Sequence, residues 1–149
     1  MGQKDVEYAD RLSRKRAKML PILAVIFLTQ QASFFASRFE NGERLVDHVK
    51  IGAWLVLSVV LLLMLTTGGA WLQRRAVRAL LNDEVTRANR TAAMRVGFIA
   101  SMSGGIFLYF LTFVDTVTGR DAIHLLTTIG IGAALLSFGM LERRAHRGG

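Results

Sequence analysis

The sequence predicts an all-α, polytopic membrane protein with four transmembrane helices and both termini in the cytoplasm. Four apolar runs, at about 19–37, 51–72, 96–114 and 123–141, carry this prediction. Each run has the length that a helix needs to cross a bilayer, which is roughly 17–25 residues. None of the runs has a charged residue in its interior, and the charges lie between them. At 149 residues, the chain has room for these spans and short connections but not for a separate soluble domain.

Lysine and arginine are distributed unevenly over the polar segments, and this asymmetry predicts the orientation. Of the 19 basic residues, 15 lie in the N-terminal tail (1–18), in the link between the second and third runs (73–95) and in the C-terminal tail (142–149). Because Lys and Arg are retained on the cytoplasmic side in short loops, these three segments are predicted to be cytoplasmic. This topology also accounts for the net charge of +8, so no direct binding of nucleic acid is expected.

The first run follows a basic tail and ends in polar residues. It is longer than the roughly 7–15 apolar residues of a signal peptide, so it is predicted to be a retained helix. Pro21 is expected in the first helical turn, where its missing N–H costs little. Gln30 and Gln31 lie about 100° apart around a helix, so at least one should face another helix and form a hydrogen bond with it. A ligand or ion contact is the alternative interpretation of this pair.

The last two runs carry small residues at helical spacing. Gly97, Ser101 and Gly105 recur every four residues in the third run, and Gly130 and Ala134 repeat the pattern in the fourth. Small side chains on one face allow two helix backbones to approach closely in a membrane. These five residues are therefore predicted to pack helices together. The pattern is compatible with contacts inside one chain and with contacts in a homo-oligomer.

Asp115 and His124 flank the short link between the third and fourth runs. They are close enough in sequence to pair, which makes them the one candidate for a proton-responsive site. The alternative is that Asp115 ends its helix in contact with water, because an aspartate deeper in the membrane would be costly. Together with Gln30 and Gln31, these two residues are the candidate polar contacts of the spans.

The 73–95 link is longer than a turn between two helices requires. Apolar residues recur along it at intervals of three or four, which indicates an amphipathic helix, and Asn82 or Asp83 is suited to cap its second half. One interpretation is a connector lying on lipid headgroups, and the other is a partner-binding surface. The residues predicted to form that surface are Arg78, Asn82, Asp83, Glu84, Arg87, Asn89 and Arg90, beside an apolar stripe of Val77, Leu81, Val85, Ala88 and Ala92.

The string from Leu80 to Arg90 reads Leu-Leu-Asn-Asp-Glu-Val-Thr-Arg-Ala-Asn-Arg. It resembles the middle cytoplasmic link of a group of small, uncharacterised bacterial four-helix inner-membrane proteins. Members of that group are often encoded beside a small helix-turn-helix regulator. The resemblance implies a location in the bacterial inner membrane and a role in holding or controlling a cytosolic transcription regulator. It implies nothing about catalysis.

Several classes of function lack the residues that they need. There is no cysteine, so thiolate metal sites and cysteine nucleophiles are excluded. The three histidines, at 48, 124 and 146, lie in a link, at a span edge and in a tail, so they cannot hold a haem from both sides within one chain. No nucleophile–base pair and no paired carboxylates are expected to face a shared cavity, so neither an enzyme nor a cofactor is expected.

Three functions are compatible with what remains. The favoured interpretation is a regulatory or sensory membrane protein that binds a cytosolic partner through the 73–95 link. A small transporter is one alternative, although small multidrug exporters carry a glutamate in their first span, where this chain has Gln30 and Gln31 and no acidic residue. A structural subunit of a larger membrane complex is the other.

Overall fold

The computed structural model of the protein describes residues 3–40, 45–69 and 83–145. These ranges contain four helices, α1 (Gln3–Glu40), α2 (Leu45–Thr67), α3 (Glu84–Leu111) and α4 (Gly119–Ala145), and no strand. The predicted all-α class is therefore confirmed. Two residues of the predicted partner surface, Arg78 and Asn82, lie outside the described residues, as does 146–149 of the C-terminal tail.

Three of the helices are long and apolar enough to cross a membrane, namely α2 from Val49, α3 and α4. Their outward faces carry large apolar side chains, such as Val56 on α2 and Phe98 and Phe107 on α3, which are each 66% exposed. Continuous apolar surface of this kind is matched to lipid rather than to water. The chain is thus a membrane protein with at least three candidate spans, while a fourth crossing by α1 and the orientation stay predictions.

Helix α1 begins much earlier than the apolar run that it contains. Most of the predicted tail 1–18 is helical and continues without interruption into the first run. Two exposed ion pairs with i,i+4 spacing lie on this extension, Glu7 with Arg11 at 3.5 Å and Asp10 with Arg14 at 3.1 Å. Such pairs each stabilise a helix by roughly 0.3–0.5 kcal/mol, which helps to explain why the polar segment is helical.

Pro21 lies in the interior of α1, so its predicted place in the first helical turn is wrong. A proline in a helix removes the N–H that would bond the carbonyl four residues earlier, which here belongs to the buried Ala17. Arg143 of α4 supplies the missing donor, because its Nε donates to the Ala17 carbonyl oxygen at 3.1 Å. Its Nη2 lies 3.4 Å from the carbonyl oxygen of Lys18. The helix can therefore run through the proline.

The ends of α2 and α3 also differ from the predicted span boundaries. Helix α2 ends at Thr67 rather than at 72, because Gly68 and Gly69 adopt positive φ angles of 68° and 73°. A glycine in this left-handed conformation is a common helix terminator. Helix α3 begins at Glu84, and Asp83 caps it by accepting a 2.8 Å hydrogen bond from the Thr86 backbone N–H. The second half of the 73–95 link thus forms the first turns of α3.

Helix α4 is the centre of the bundle. Half of its apolar window is buried (50%), compared with 11% for α3. It packs antiparallel to α3 and α1 and runs parallel to α2, with which it shares fewer contacts. Six of the nine buried residues of this helix recur at alternating intervals of four and three, which is the spacing of a coiled-coil seam: His124, Thr128, Ile131, Leu135, Phe138 and Glu142.

The small residues of the third and fourth runs lie where α3 crosses α4. A Cβ added at Gly97 would lie 2.6 Å from the Gly130 carbonyl oxygen and 2.8 Å from the Ala134 Cβ, so only glycine fits. Ser101 lies against Gly130 and donates a 3.0 Å hydrogen bond to the Leu126 carbonyl. Gly105 is in ordinary contact with Leu126, at 3.7 Å.

Two glycines that sequence reasoning overlooked leave room on α4 for side chains of α1. A Cβ at Gly139 would lie 2.6 Å from the Pro21 ring, and one at Gly132 would lie 2.7 Å from Leu28. The two glycines are seven residues apart, so they share one face of α4. All these contacts lie within one chain.

Candidate functional site

Two groups of buried polar side chains lie inside the bundle, one towards each end. The first, here called the Arg16 clamp, consists of the side chains of Arg16, Thr86, Asn89 and Glu142 and the carbonyl of Gly68. The second, here called the His124 cluster, consists of Gln31, Trp54, Ser58, His124 and Thr128. Apolar residues of the core separate the two groups: Leu20, Ala24, Phe27, Leu61, Leu65, Ile131, Leu135 and Phe138.

The Arg16 clamp is built around a buried ion pair. The Nη2 of Arg16 lies 2.5 Å from Glu142 Oε2, and the two side chains are only 9% and 4% exposed. Arg16 also donates from Nη1 to the Gly68 carbonyl at 3.0 Å and from Nη2 to the Thr86 hydroxyl at 3.1 Å. Asn89 donates to the other carboxylate oxygen of Glu142 at 3.2 Å. Both carboxylate oxygens therefore accept a hydrogen bond.

The clamp joins all four helices at one point. Arg16 belongs to α1, Gly68 follows the last turn of α2, Thr86 and Asn89 lie in the first turns of α3, and Glu142 is near the end of α4. The Arg16 guanidinium carbon also lies 5.6 Å from the ring centroid of Phe138, close enough for a cation–π interaction. An arginine suits this position because its planar group can donate to several acceptors at once.

Sequence reasoning assigned Arg16 and Glu142 to two separate cytoplasmic tails and missed their pairing. A signal was nevertheless present in the spacing. Glu142 continues the buried series of Leu135 and Phe138 at intervals of three and four, so it lies on the face of α4 that points inward. An acidic residue on such a face predicts a basic partner from another helix, because an unpaired buried charge is strongly unfavourable.

The His124 cluster is centred on a histidine that lies between two other helices. Its Nε2 is 2.5 Å from Gln31 Oε1 on α1. An amide oxygen only accepts, so this contact requires the hydrogen on Nε2. On α2, Trp54 stacks on the imidazole with ring centroids 4.0 Å apart and planes inclined by 13°. His124 therefore holds α1, α2 and α4 together near the end of the bundle opposite the clamp.

Two hydroxyl residues lie one turn deeper than the stacked rings. Ser58 follows Trp54 by four residues on α2, and Thr128 follows His124 by four residues on α4. Since α2 and α4 run parallel, the four side chains occupy two neighbouring levels of the same interior space. All four are buried. An aromatic level and a hydroxyl level thus lie one helical turn apart inside an otherwise apolar bundle.

Of the four candidate polar contacts predicted from the sequence, two are buried and two are exposed. Gln31 and His124 are buried and contact each other. Gln30 is exposed, as expected for a neighbour of a buried residue on a helix. Asp115 is exposed in the turn after α3, where its carboxylate accepts a 2.7 Å hydrogen bond from the Thr116 backbone N–H. His124, which was predicted to pair with Asp115, contacts Gln31.

The described part of the predicted partner surface has an inner and an outer face. Asn89 and Arg90 are half-buried, and Asn89 belongs to the clamp. Asp83, Glu84 and Arg87 are exposed. Three residues of the apolar stripe accompany them on the outer face, namely Val85, Ala88 and Ala92.

In the ranges 3–40, 45–69 and 83–145, no three His, Asp or Glu side chains come together as metal ligands would. Comparison of the chain with protein-family models, curated proteins and solved structures finds no match. The function is therefore inferred from the geometry of the clamp, the cluster and the exposed face of α3.

Proposed function

We propose that the chain is a regulatory or sensory protein of the bacterial inner membrane that binds a cytosolic protein through its 73–95 link. In this proposal, four helices cross the bilayer, and both termini, the link and the Arg16 clamp lie at the cytoplasmic end. The uneven distribution of basic residues supports the orientation, since 15 of 19 lie in the tails and this link.

The Arg16 clamp is the observation that carries the proposal. Thr86 and Asn89, in the first turns of α3, contact the ion pair that joins α1 to α4. A change in the packing of the spans would therefore move the second half of the link, and a partner bound to the link would affect the spans in return. Such coupling between two sites is reciprocal by thermodynamic necessity.

The outer face of the same turns supplies a surface for a partner. Val85 is 54% exposed, and the exposed charges Glu84 and Arg87 lie on either side of it in sequence. An apolar centre with a charged rim is the usual composition of a protein interface. The resemblance of the Leu80–Arg90 string to bacterial proteins encoded beside helix-turn-helix regulators favours a transcription regulator as the partner.

Site-specific crosslinking from native membranes tests this proposal. A photo-crosslinking amino acid at Val85 or Ala88, on the outer face of α3, should capture a cytosolic DNA-binding protein. The same amino acid at Phe113, which is 72% exposed beyond the opposite end of α3, serves as the control and should not capture it. Capture of subunits of one respiratory or transport complex would favour the structural alternative, and no protein specific to Val85 and Ala88 would contradict the proposal.

A surface variant separates partner binding from folding. The triple substitution Glu84→Ala, Val85→Ser and Arg87→Ala removes the exposed face but keeps Asp83, whose loss as a cap would cost about 1 kcal/mol of helix stability. The variant should insert normally and lose the crosslinked partner. The matched control, Glu7→Ala with Arg11→Ala, removes an exposed ion pair from α1 and should keep it. If the triple variant still captures the partner and keeps full regulatory activity, the exposed face of α3 is not the functional surface.

The orientation is tested independently of any partner, because the chain has no cysteine. Single cysteines at the exposed residues Thr116 and Ala145 mark the two ends of the bundle. A membrane-impermeant thiol reagent added to intact cells should label only the cysteine at 116. Labelling of the cysteine at 145 alone would reverse the topology.

A small transporter is the second candidate, and the His124 cluster is the observation that favours it. Polar residues buried inside membrane spans commonly line substrate or ion pathways. A transporter would bind its substrate at this cluster and would need no cytosolic protein, so failure of the crosslinking experiment together with solute binding at the cluster would favour it.

A further inference from the structure

Three polar atoms of the His124 cluster are buried without a hydrogen-bond partner among the described residues. They are the indole Nε1 of Trp54 and the hydroxyl oxygens of Ser58 and Thr128. The three residues are 8%, 3% and 5% exposed, respectively. Leaving a polar group unpaired in an apolar interior costs roughly 1–3 kcal/mol, so three such groups at one place are unusual.

Other hydroxyls of the same chain bond to their own helix even where they are exposed. Thr66, Thr67 and Thr91 each donate to the carbonyl one turn earlier, at 2.9, 2.6 and 3.0 Å. Ser58 and Thr128 are also helical and have the same option, yet their hydroxyls do not use it. Because both side chains are buried, their hydroxyls face the space between the helices.

The residues that carry the unpaired atoms lie in one region of the bundle. Trp54 stacks on His124, and Ser58 and Thr128 lie one turn deeper on the same two parallel helices. The second and fourth predicted spans begin at Ile51 and Ile123, so all four residues lie within about 11 Å of those span ends along the helix axes. Water or a small solute would cross only a short distance to reach them.

The chemistry of the cluster defines what it can bind. The indole N–H only donates, so the ligand must supply an acceptor, while the two hydroxyls can donate or accept. None of the five side chains is a carboxylate, lysine or arginine, and an ion without a counter-charge is very costly to bury. The complementary molecule is therefore small, uncharged and able to accept hydrogen bonds.

We propose that the His124 cluster is a binding site for a small uncharged hydrogen-bonding molecule, either water itself or a small polar solute such as a polyol or an amide. The ligand contacts Trp54 Nε1, Ser58 Oγ and Thr128 Oγ1 and is reached from the end of the bundle opposite the Arg16 clamp. This site does not depend on a partner for the 73–95 link.

Cysteine accessibility in the purified full-length protein tests the site. Ser58→Cys and Thr128→Cys are compared with Ala24→Cys, a fully buried position in the apolar core (0% exposed). Methyl methanethiosulfonate, which is small and uncharged, should label the two cluster cysteines at least about tenfold faster than the core cysteine, because the reacting thiolate forms only in contact with water. A bulky trimethylammonium thiosulfonate should label the cluster slowly. Equal rates at all three positions would overturn the proposal.

Glycerol and urea distinguish the two sources of the ligand. If either solute slows labelling at Ser58→Cys while sodium chloride at the same osmolality does not, the site binds polar solutes. If neither slows it, the occupant is water. Trp54 gives a readout without any cysteine: in a Trp71→Phe background it is the single tryptophan, and its emission should respond to exchange of water for deuterium oxide. A Trp54 emission insensitive to this exchange, combined with unlabelled cluster cysteines, would show that the site is dry.

Discussion

The Arg16 clamp and the His124 cluster lie roughly 20 Å apart along the same helices, and they differ in how fully their polar atoms are paired. In the clamp, both carboxylate oxygens of Glu142 accept hydrogen bonds and both Nη atoms of Arg16 donate, and only the Nε atom of Arg16 makes no hydrogen bond to the described residues. In the cluster, Trp54, Ser58 and Thr128 each have a polar atom without a partner among the described residues. Polar groups that are paired with each other hold helices together, whereas unpaired polar groups are available to bind a ligand.

Close packing is not confined to either end. A Cβ at Gly139, near the clamp, would lie 2.6 Å from the Pro21 ring, and one at Gly97, in the middle of the bundle, would lie 2.6 Å from the Gly130 carbonyl oxygen. Towards the cluster, a Cβ at Gly132 would lie 2.7 Å from Leu28, whereas one at Gly105 would lie 3.7 Å from its nearest neighbour. The two polar groups therefore differ in hydrogen bonding and not in how closely the helices around them pack.

The largest effect should come from breaking the buried ion pair. Glu142→Ala leaves the Arg16 charge buried without its carboxylate, which should destabilise the protein by about 3–5 kcal/mol. The double variant Arg16→Leu with Glu142→Leu removes both charges, so it should lose less stability than Glu142→Ala. Thermal unfolding in one detergent measures both.

The control for this prediction is Glu7→Ala, since Glu7 forms an exposed ion pair with Arg11 on the same helix as Arg16. Its loss should cost no more than about 0.5 kcal/mol. If Glu142→Ala destabilises the protein no more than Glu7→Ala does, the clamp does not hold the helices together, and it does not differ from the His124 cluster in this respect.

A pair of glycine substitutions on α3 tests where this helix packs most closely against α4. Gly97→Ala places a methyl group against the backbone of α4, and such overpacking should cost about 1–3 kcal/mol. Gly105→Ala has room for the same methyl group and should be neutral or stabilise the helix by up to about 1 kcal/mol. Melting temperatures of the two variants should therefore move in different directions; equal shifts would mean that α3 packs alike against α4 at the two positions.

Arg143 is expected to matter because of Pro21. Arg143→Ala removes the donor to the Ala17 carbonyl, and a buried unpaired carbonyl should cost about 1–3 kcal/mol. Pro21→Ala restores the N–H inside α1, so Arg143→Ala should cost less in that background. Unfolding measurements on both single variants and the double variant give the coupling. Arg144→Ala, at an exposed neighbour, serves as the control, and additive effects would contradict the proposed repair of α1.

Much of the fold could be predicted from the sequence, because the helices follow from length and apolar content alone. The close approach of α3 to α4 at Gly97 and Gly130 was also visible as a spacing of small residues. Pairs distant in the chain were not visible: Arg16 and Glu142 are 126 residues apart, and Gln31 and His124 are 93 apart. Such pairs depend on the rotation of each helix about its axis, which no single segment determines.

The continuity of α1 through Pro21 was missed for the same physical reason. A proline normally interrupts a helix unless another group bonds the released carbonyl, and here that group comes from Arg143 at the far end of the chain. The sequence around Pro21 gives no indication of this donor. The Arg16 clamp depends on this continuity, since Arg16 precedes the proline and points towards Glu142 only if the helix runs on.

The smallest expected effect gives the most direct comparison of the two polar groups, because one substitution can be made in both. Thr86→Val removes a clamp hydroxyl that accepts a hydrogen bond from Arg16 at 3.1 Å, and loss of a bond to a charged group should cost about 1.5–3 kcal/mol. Thr128→Val removes a hydroxyl that has no partner among the described residues, so the substitution loses at most a bond to the neutral bound molecule, and its effect on thermal unfolding should stay within about 1 kcal/mol. Ser58→Ala should behave like Thr128→Val. A loss at Thr128 as large as that at Thr86 would mean that its hydroxyl is bonded within the protein as strongly as that of Thr86, and the cluster would then be a second structural clamp rather than a binding site.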